Sequence, residues 1–266
     1  MTEKFTLEEI RDFWTMSADE HGESPKASWS DIRVIEMEIA EIGKRLSDGD
    51  RVLDAGCANG FSTVQFAAIK DVSIVGFDYI PAMIENARRQ LAAVRDRLRG
   101  RVEFSVGNLL TSEMPAGPFD KVVATRVIIN LGNWETQLRG LRACAKVLKP
   151  GGCLLLSEAS LQGWRNLNAF RREWGLPDIP MPAFNNYLDE ERLVRDLAPE
   201  MEIRETSSFS STYYVGTRVL KPLLARATGA NVNAADPLME WNRWFASLPP
   251  AGDYGTQKLF VFRKRL

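Results

Sequence analysis

Two acids and a glycine turn are the residues of this chain with the types and spacing to do chemistry. In Val52-Leu-Asp-Ala-Gly-Cys-Ala-Asn-Gly60 an apolar run ends at Asp54, a turn holding Gly56 and Gly60 follows, and a helix is expected to start near Phe61. Glycines at such a turn let backbone pass close to a ligand. The spacing Asp-x-Gly-x-x-x-Gly is not the Gly-x-Gly-x-x-Gly that seats a pyrophosphate, and no Gly-Lys-Ser/Thr follows as in a P-loop. An acid ahead of the turn repels phosphate and suits a ligand with an amine or a cationic centre. Asp78 ends the next apolar run, where a carboxylate can accept from both hydroxyls of a ribose. Asn108 follows the third run and could read an adenine edge.

These residues need a sheet to hold them. Short apolar runs at 51–54, 72–78, 102–106, 121–124 and 152–157 read as strands buried on both faces. Helical periods fill the gaps: Ile84, Ala87, Leu91, Val94 and Leu98, then Trp134, Leu138, Leu141, Ala145 and Leu148. The second of these is expected to stop at Lys149-Pro150-Gly151-Gly152. Ile32, Ile35, Ile39, Ile42 and Leu46 stripe an earlier helix. Alternation of this kind predicts βαβ units around a parallel sheet. Beyond the fifth strand the pattern breaks. Residues 159–187 read as irregular and 188–197 as helix. Residues 201–209 read as a sixth strand, 211–250 as inserted helices and 257–263 as a last strand.

The motifs in this order resemble those of a class I S-adenosylmethionine-dependent methyltransferase of the small-molecule type. The resemblance rests on the stretch from Asp54 to Gly60, on Phe77-Asp78, on Gly107-Asn108-Leu109 and on Leu148-Lys-Pro-Gly-Gly152, and covers about residues 30–160. It implies an α/β fold, a Rossmann-like seven-stranded mostly parallel sheet with helical cap insertions. It implies S-adenosyl-L-methionine as cofactor, S-adenosyl-L-homocysteine as product, and no metal. Gly56, Cys57, Ala58 and Asn59 would then line the methionine moiety, with Asp54 before them and Gly60 closing the turn. Asp78 would hold the ribose. Tyr79 and Met83 would lie beside the adenine, and Asn108 and Leu109 would flank it. Arg126 and Val127 would face the methionine part. Ala58 stands where glycine is commoner and Asn108 where aspartate is commoner; an amide oxygen still accepts from an adenine amino group.

On the acceptor side, His21 is the one histidine of the chain, and histidine ordinarily titrates near neutrality. It lies in a segment expected to be flexible and to close over the cofactor, as a general base or as an ordinary loop histidine. Arg33 either meets the methionine carboxylate or faces water. The insertion holding Trp164, Arg165, Asn166, Asn168, Arg171, Arg172, Trp174, Asn185, Asn186 and Tyr187 suits a polar or polyhydroxylated small molecule, or else packs on itself. Trp164, Asn185, Asn186 and Tyr187 are its expected substrate residues. The organisation expected is an N-terminal helical lid (1–50), a cofactor-binding core (51–158) and cap insertions interleaved with the last strands (159–266).

Composition excludes several classes. The 266 residues carry 34 Lys and Arg against 35 Asp and Glu, which is neither a polycation nor an acidic disordered chain. Arg88, Arg89, Arg95, Arg97, Arg99 and Arg101 resemble a nucleic-acid patch but read as the solvated face of a helix. No apolar run reaches the roughly 18 residues of a membrane span, and residues 1–10 do not form a signal peptide. Three widely spaced cysteines give no disulfide framework and no metal motif, so a reducing, cytoplasmic setting is the default. The reading is methyl transfer to a small polar acceptor, most naturally a hydroxyl of a saccharide or natural-product metabolite, by a monomer or homodimer with no nucleic-acid or membrane partner. N- or C-methylation and a catalytically silent cofactor-binding subunit are the alternatives. The glycine spacing disfavours an NAD-dependent dehydrogenase.

Overall fold

The computed structural model describes residues 5–111, 113–229 and 239–266. In chain order its elements are α1 (Leu7–His21), α2 (Ile32–Gly43), β1 (Arg51–Ala55), α3 (Phe61–Ile69), β2 (Ser73–Asp78), α4 (Pro81–Val94), β3 (Arg101–Val106) and β4 (Phe119–Thr125). Then come α5 (Trp134–Val147), β5 (Leu148–Ala159), α6 (Leu161–Glu173), α7 (Glu190–Leu197), β6 (Met201–Ser207), α8 (Ser211–Val215), α9 (Lys221–Thr228), α10 (Glu240–Ala246) and β7 (Gln257–Lys264). A π turn, Gly216–Leu220, joins α8 to α9. Part of the inserted-helix region, residues 230–238, lies outside the described residues.

Among the described residues the strands form one seven-stranded sheet in the order β3-β2-β1-β4-β5-β7-β6. Pairs from β3 to β5 are parallel, and β7 runs antiparallel between β5 and β6. This is the expected mostly parallel sheet. Alternate residues of each strand bury on opposite faces. Val52 and Ile74 pack with Val34, Ile35 and Ile42 of α2 and Phe66 of α3. Leu53 and Ala55 pack with Leu141 and Cys144 of α5 and Leu193 of α7. The strand order reverses between β1 and β4, and in open α/β sheets ligands bind at the strand ends beside that switch.

Three expectations change. The segment from His21 to Trp29, expected to be flexible, is turns and one 3-10 turn, Pro25–Ala27, and it follows an unexpected helix: residues 7–21 form α1, capped by Thr6, whose side chain accepts from Glu9 N while Glu9 returns to Thr6 N. That capping box, Thr-x-x-Glu, was present in the sequence as the signal for this helix. Residues 161–173 are helical rather than irregular, started by Ser160 Oγ accepting from Gly163 N at 2.9 Å; a glycine and two asparagines within the helix obscure its period. The Lys149-Pro-Gly-Gly152 stop is itself strand, because β5 begins at Leu148 opposite Phe119.

α1 lies across the open ends of β1 and β2, held by side-chain amides. Asn86 Nδ2 donates to Ala18 O (3.0 Å), Gln90 Nε2 to Glu23 O (2.9 Å), and Asn59 Nδ2 to both Gly22 O (2.9 Å) and Ser24 O (2.7 Å). α2, by contrast, buries Val34, Ile35 and Ile42 in the main core.

Candidate active site

The ends of β1, β2 and β4 and the inner face of α1 enclose a cavity of about 1130 Å³, counted to its open mouth. Asp54, the penultimate residue of β1, lies at its floor. It is buried, and its Oδ2 accepts from Thr63 Oγ1 at 2.6 Å, while Oδ1 has no hydrogen-bond partner among the described residues. Burial pushes its carboxyl up to about 6. Gly56 follows at φ +72°, and a Cβ there would stand 2.6 Å from Val127 Cγ2. Only glycine keeps this part of the floor open.

Asp78 ends β2 on the cavity wall. Its Oδ2 accepts from Ala58 N (3.0 Å) and its Oδ1 from Ile80 N (2.9 Å), so each oxygen retains a second lone pair. Burial raises this carboxyl to about 6 as well, against those backbone donors. The bond to Ala58 also fixes that residue at φ +47°, an uncommon conformation for a residue with a Cβ. Cys57, Ala58, Tyr79, Met83, Asn108 and Leu109 line the same cavity. Asn108 Oδ1 already accepts from Leu110 N at 2.9 Å, a local turn that fixes the amide's orientation.

Behind the β4 corner lies a buried network that sequence reasoning missed. Arg126 sits at φ +54° and its guanidinium pairs with Glu38 of α2 and stacks 5.4 Å over Trp29. Glu38 Oε1 accepts from Ser157 Oγ (2.5 Å) and Gln257 Nε2 (2.9 Å). Glu158 Oε1 takes the N–H groups of Val127 (2.8 Å) and Ile128 (2.7 Å), and so holds the corner that forms one cavity wall. Glu158 Oε2 has no partner among the described residues, and burial pushes the carboxyl up to about 8.

That value has a consequence for stability. Between the ordinary glutamate range and about 8, folded Glu158 keeps a proton that the unfolded chain has released. Stability therefore falls as pH rises through this window, by at most about 1.4 kcal/mol per pH unit. Asp54 and Asp78 add to the slope only up to about pH 6. Between pH 6 and 8, Glu158→Gln is expected to flatten it, since the amide oxygen still accepts both N–H bonds. Urea unfolding at pH 6 and pH 8 measures this; an equal loss in both proteins would show that Glu158 does not titrate there.

Several residues expected at the site lie elsewhere. Gly60 opens α3 and is not among the lining residues; a Cβ there would meet Phe104 and Ala87, so its role is packing. Asn59 does line the cavity, but its side-chain amide donates to the segment after α1. Arg33 pairs with Glu36 at 2.6 Å and does not line the cavity. His21 ends α1, half-buried, and is likewise not among the lining residues. None of Trp164, Asn185, Asn186 and Tyr187 lines it either. The indole N–H of Trp164 donates to Ile179 O (2.9 Å) and its ring meets that of Tyr187 edge-on. Asn186 N donates to Ile129 O (2.8 Å) and its carbonyl accepts from Gln137 Nε2 (2.8 Å). Asn185 keeps a buried Oδ1 without a partner among the described residues. Among the described residues no group of His, Cys, Asp and Glu is placed to hold a metal, and no helix is long and apolar enough to cross a membrane.

An acid-floored cavity at the switch point of this sheet defines a nucleoside-binding α/β protein. Residues 52–152 match the family described as "Methyltransferase domain". The chain is 30% identical to the O-methyltransferase rstn1 of Aspergillus nomiae over 181 residues, 65% of this chain and 77% of that one. It is 31% identical to the 27-O-demethylrifamycin SV methyltransferase of Amycolatopsis mediterranei, over 42% of this chain and 40% of that one. The fold is shared with the magnesium protoporphyrin IX methyltransferase of Synechocystis PCC 6803, solved with bound S-adenosylhomocysteine (TM-score 0.58, 16% identity, 90% of this chain and 87% of that one). The chain belongs to the class I S-adenosylmethionine-dependent methyltransferases.

The cavity fits this donor. A sulfonium with an α-amine is a cation, and Asp54 offers an unpartnered carboxylate oxygen at the floor. Gly56 leaves room that any side chain would close, and Asp78 keeps a free lone pair on each oxygen for a diol.

Proposed function

We propose that the enzyme methylates a hydroxyl oxygen of a small natural-product-type metabolite. One observation carries this reading: α1 roofs the donor cavity, which its Leu7 and Trp14 line, and Trp14 packs edge-on against Phe184 of the 182–187 loop. A cavity roofed in this way suits a small-molecule acceptor. The relatives named as O-methyltransferases support oxygen as the target.

When bound, S-adenosylmethionine supplies an electrophilic methyl group. Asp54, Gly56 and the Arg126–Val127 corner hold the methionine part; Asp78 holds the ribose, with Tyr79, Met83, Asn108 and Leu109 about the adenine. Held there, the donor would supply its methyl group to the acceptor oxygen, whose proton would leave to water. The chain's contribution is alignment and exclusion of bulk water. In this reading residues 5–31 act as the lid, while α2 belongs to the core. The enzyme works in the cytoplasm as a monomer or homodimer without nucleic acid. Arg88 bonded to Phe104 O, and Arg99 bonded to Ile69 O and Asp48, support the last point.

Label from methyl-labelled donor is expected in an O-methyl product when the enzyme is given a pool of hydroxylated metabolites; label on nitrogen or carbon, or none transferred, overturns the proposal. His21→Ala is expected to keep turnover within about twofold of wild type. General-base loss would instead cost roughly 10²–10⁴, and a fall of that size at neutral pH would restore His21 as the base.

A further inference from the structure

We propose that the acceptor is a flat, mostly apolar molecule with its hydroxyl on an aromatic body, seated on a rim where α1 meets the 182–187 loop and held by Asn130. This deepens the O-methylation reading and rests on it.

The rim is continuous with the donor cavity. Phe184 packs on Phe13 with ring centroids 4.8 Å apart and edge-on to Trp14 at 6.1 Å, and Trp14 lines the cavity. Phe13 is nevertheless 42% exposed and Leu7, another lining residue, 49% exposed. Large apolar side chains gathered at the mouth of a site favour a ligand that covers them. An aromatic body does so with ring-to-ring contact.

Four of the polar side chains that would have bound a saccharide are occupied. Arg171 donates to Pro177 O (2.8 Å) and to Arg218 O, and Arg172 pairs with exposed Asp178. Asn166 donates to Asp253, and Asn168 exchanges bonds with the backbone of Ile179. All of them brace α6 and its following loop, and none lines the cavity.

Beside Asp54 Oδ1 and Arg126 Nε, which belong to the donor end, Asn130 carries a further buried polar atom left open among the described residues that line the cavity. Asn130 lines it and donates from Nδ2 to Arg126 O at 2.6 Å, which fixes the amide, while its buried Oδ1 has no partner among the described residues. A buried acceptor without a partner calls for a donor. A hydroxyl supplies one and a ketone or ether does not. An amide oxygen is no base, so Asn130 orients the hydroxyl without taking its proton. Aromatic hydroxyls, like that of tyrosine, titrate near 10, and part with the proton more readily than saccharide hydroxyls.

The test is equilibrium dialysis of 2-naphthol and of naphthalene against the full chain saturated with S-adenosylhomocysteine. Wild type is expected to bind 2-naphthol saturably and about fivefold tighter than naphthalene, one hydrogen bond's worth. Phe184→Ser, with Phe13→Ser as a second variant, is expected to weaken both probes about tenfold. Asn130→Leu is expected to erase the difference between the probes while naphthalene still binds, an effect that mere loss of structure does not produce. S-adenosylhomocysteine affinity should stay within about twofold in the two rim variants. Absence of saturable 2-naphthol binding, its displacement by glucose, or unchanged binding in the rim and Asn130 variants overturns the proposal. Failure of wild type to bind S-adenosylhomocysteine overturns the underlying methyltransferase reading instead.

Discussion

Gly56→Val is expected to lose measurable S-adenosylhomocysteine binding. The residue sits at φ +72°, a conformation that costs an L-residue roughly 1–2 kcal/mol. The new Cβ would lie 2.6 and 2.8 Å from Val127 Cγ2 and Cβ. Val127 cannot withdraw freely, because its N–H is fixed to buried Glu158. Relief of the clash must therefore come from the loop, which moves into the space where backbone meets the ligand. Strain and occlusion together should raise Kd by more than about 100-fold. Titration calorimetry beside a melting curve separates this from unfolding: the expected variant melts cooperatively and gives no binding heat. Gly56→Ala should show the same defect in milder form. Unchanged affinity in both would remove the glycine turn from the donor site.

Asp78→Ala is expected to weaken S-adenosylhomocysteine by roughly 1.5–3 kcal/mol, the range for hydrogen bonds to a charged group. The substitution also leaves Ala58 N–H without its acceptor, and with it the support for a strained residue of the cofactor loop. pH gives a second readout. The carboxyls of Asp78 and Asp54 are both pushed up to about 6 by burial. As pH falls through 6 they protonate, and wild-type affinity should fall with them. Asp78→Asn should show weaker binding at pH 8 and a shallower loss toward pH 5, with Asp54 alone still titrating. A wild-type affinity flat from pH 5 to 8 would mean that neither carboxylate meets the donor.

The sheet and the donor side of the cavity were legible in the sequence because their signals are local. A strand buried on both faces is a short apolar run whatever it packs against, and a helix between two such runs enforces parallel crossovers. Asp54, Gly56, Asp78 and Asn108 each stand at the end of such a run, so chain position alone carried them to one edge of the sheet. The capping box Thr6-x-x-Glu9 is equally local, yet no helix is expected from it alone, because α1 carries no clear apolar stripe and buries only Ile10 and Ala18.

The rest was decided by residues far apart in the chain. Glu38, Arg126, Ser157, Glu158 and Gln257 come from α2, the β4 corner, β5 and β7, and meet only because the sheet sets β7 beside β5 and α2 across their face. Each alone reads as an ordinary polar residue. The acceptor side failed for the converse reason: Trp164, Asn166, Arg171 and Asn186 have the residue types of a polar binding site, but packing turned them onto backbone carbonyls and neighbouring side chains. Asn130, which no motif marks, reached the cavity through the turn after β4. Composition fixes which groups can hydrogen-bond. Which of them are left with an unpaired atom beside a cavity depends on every partner the fold brings near, and that is settled only when the chain is folded.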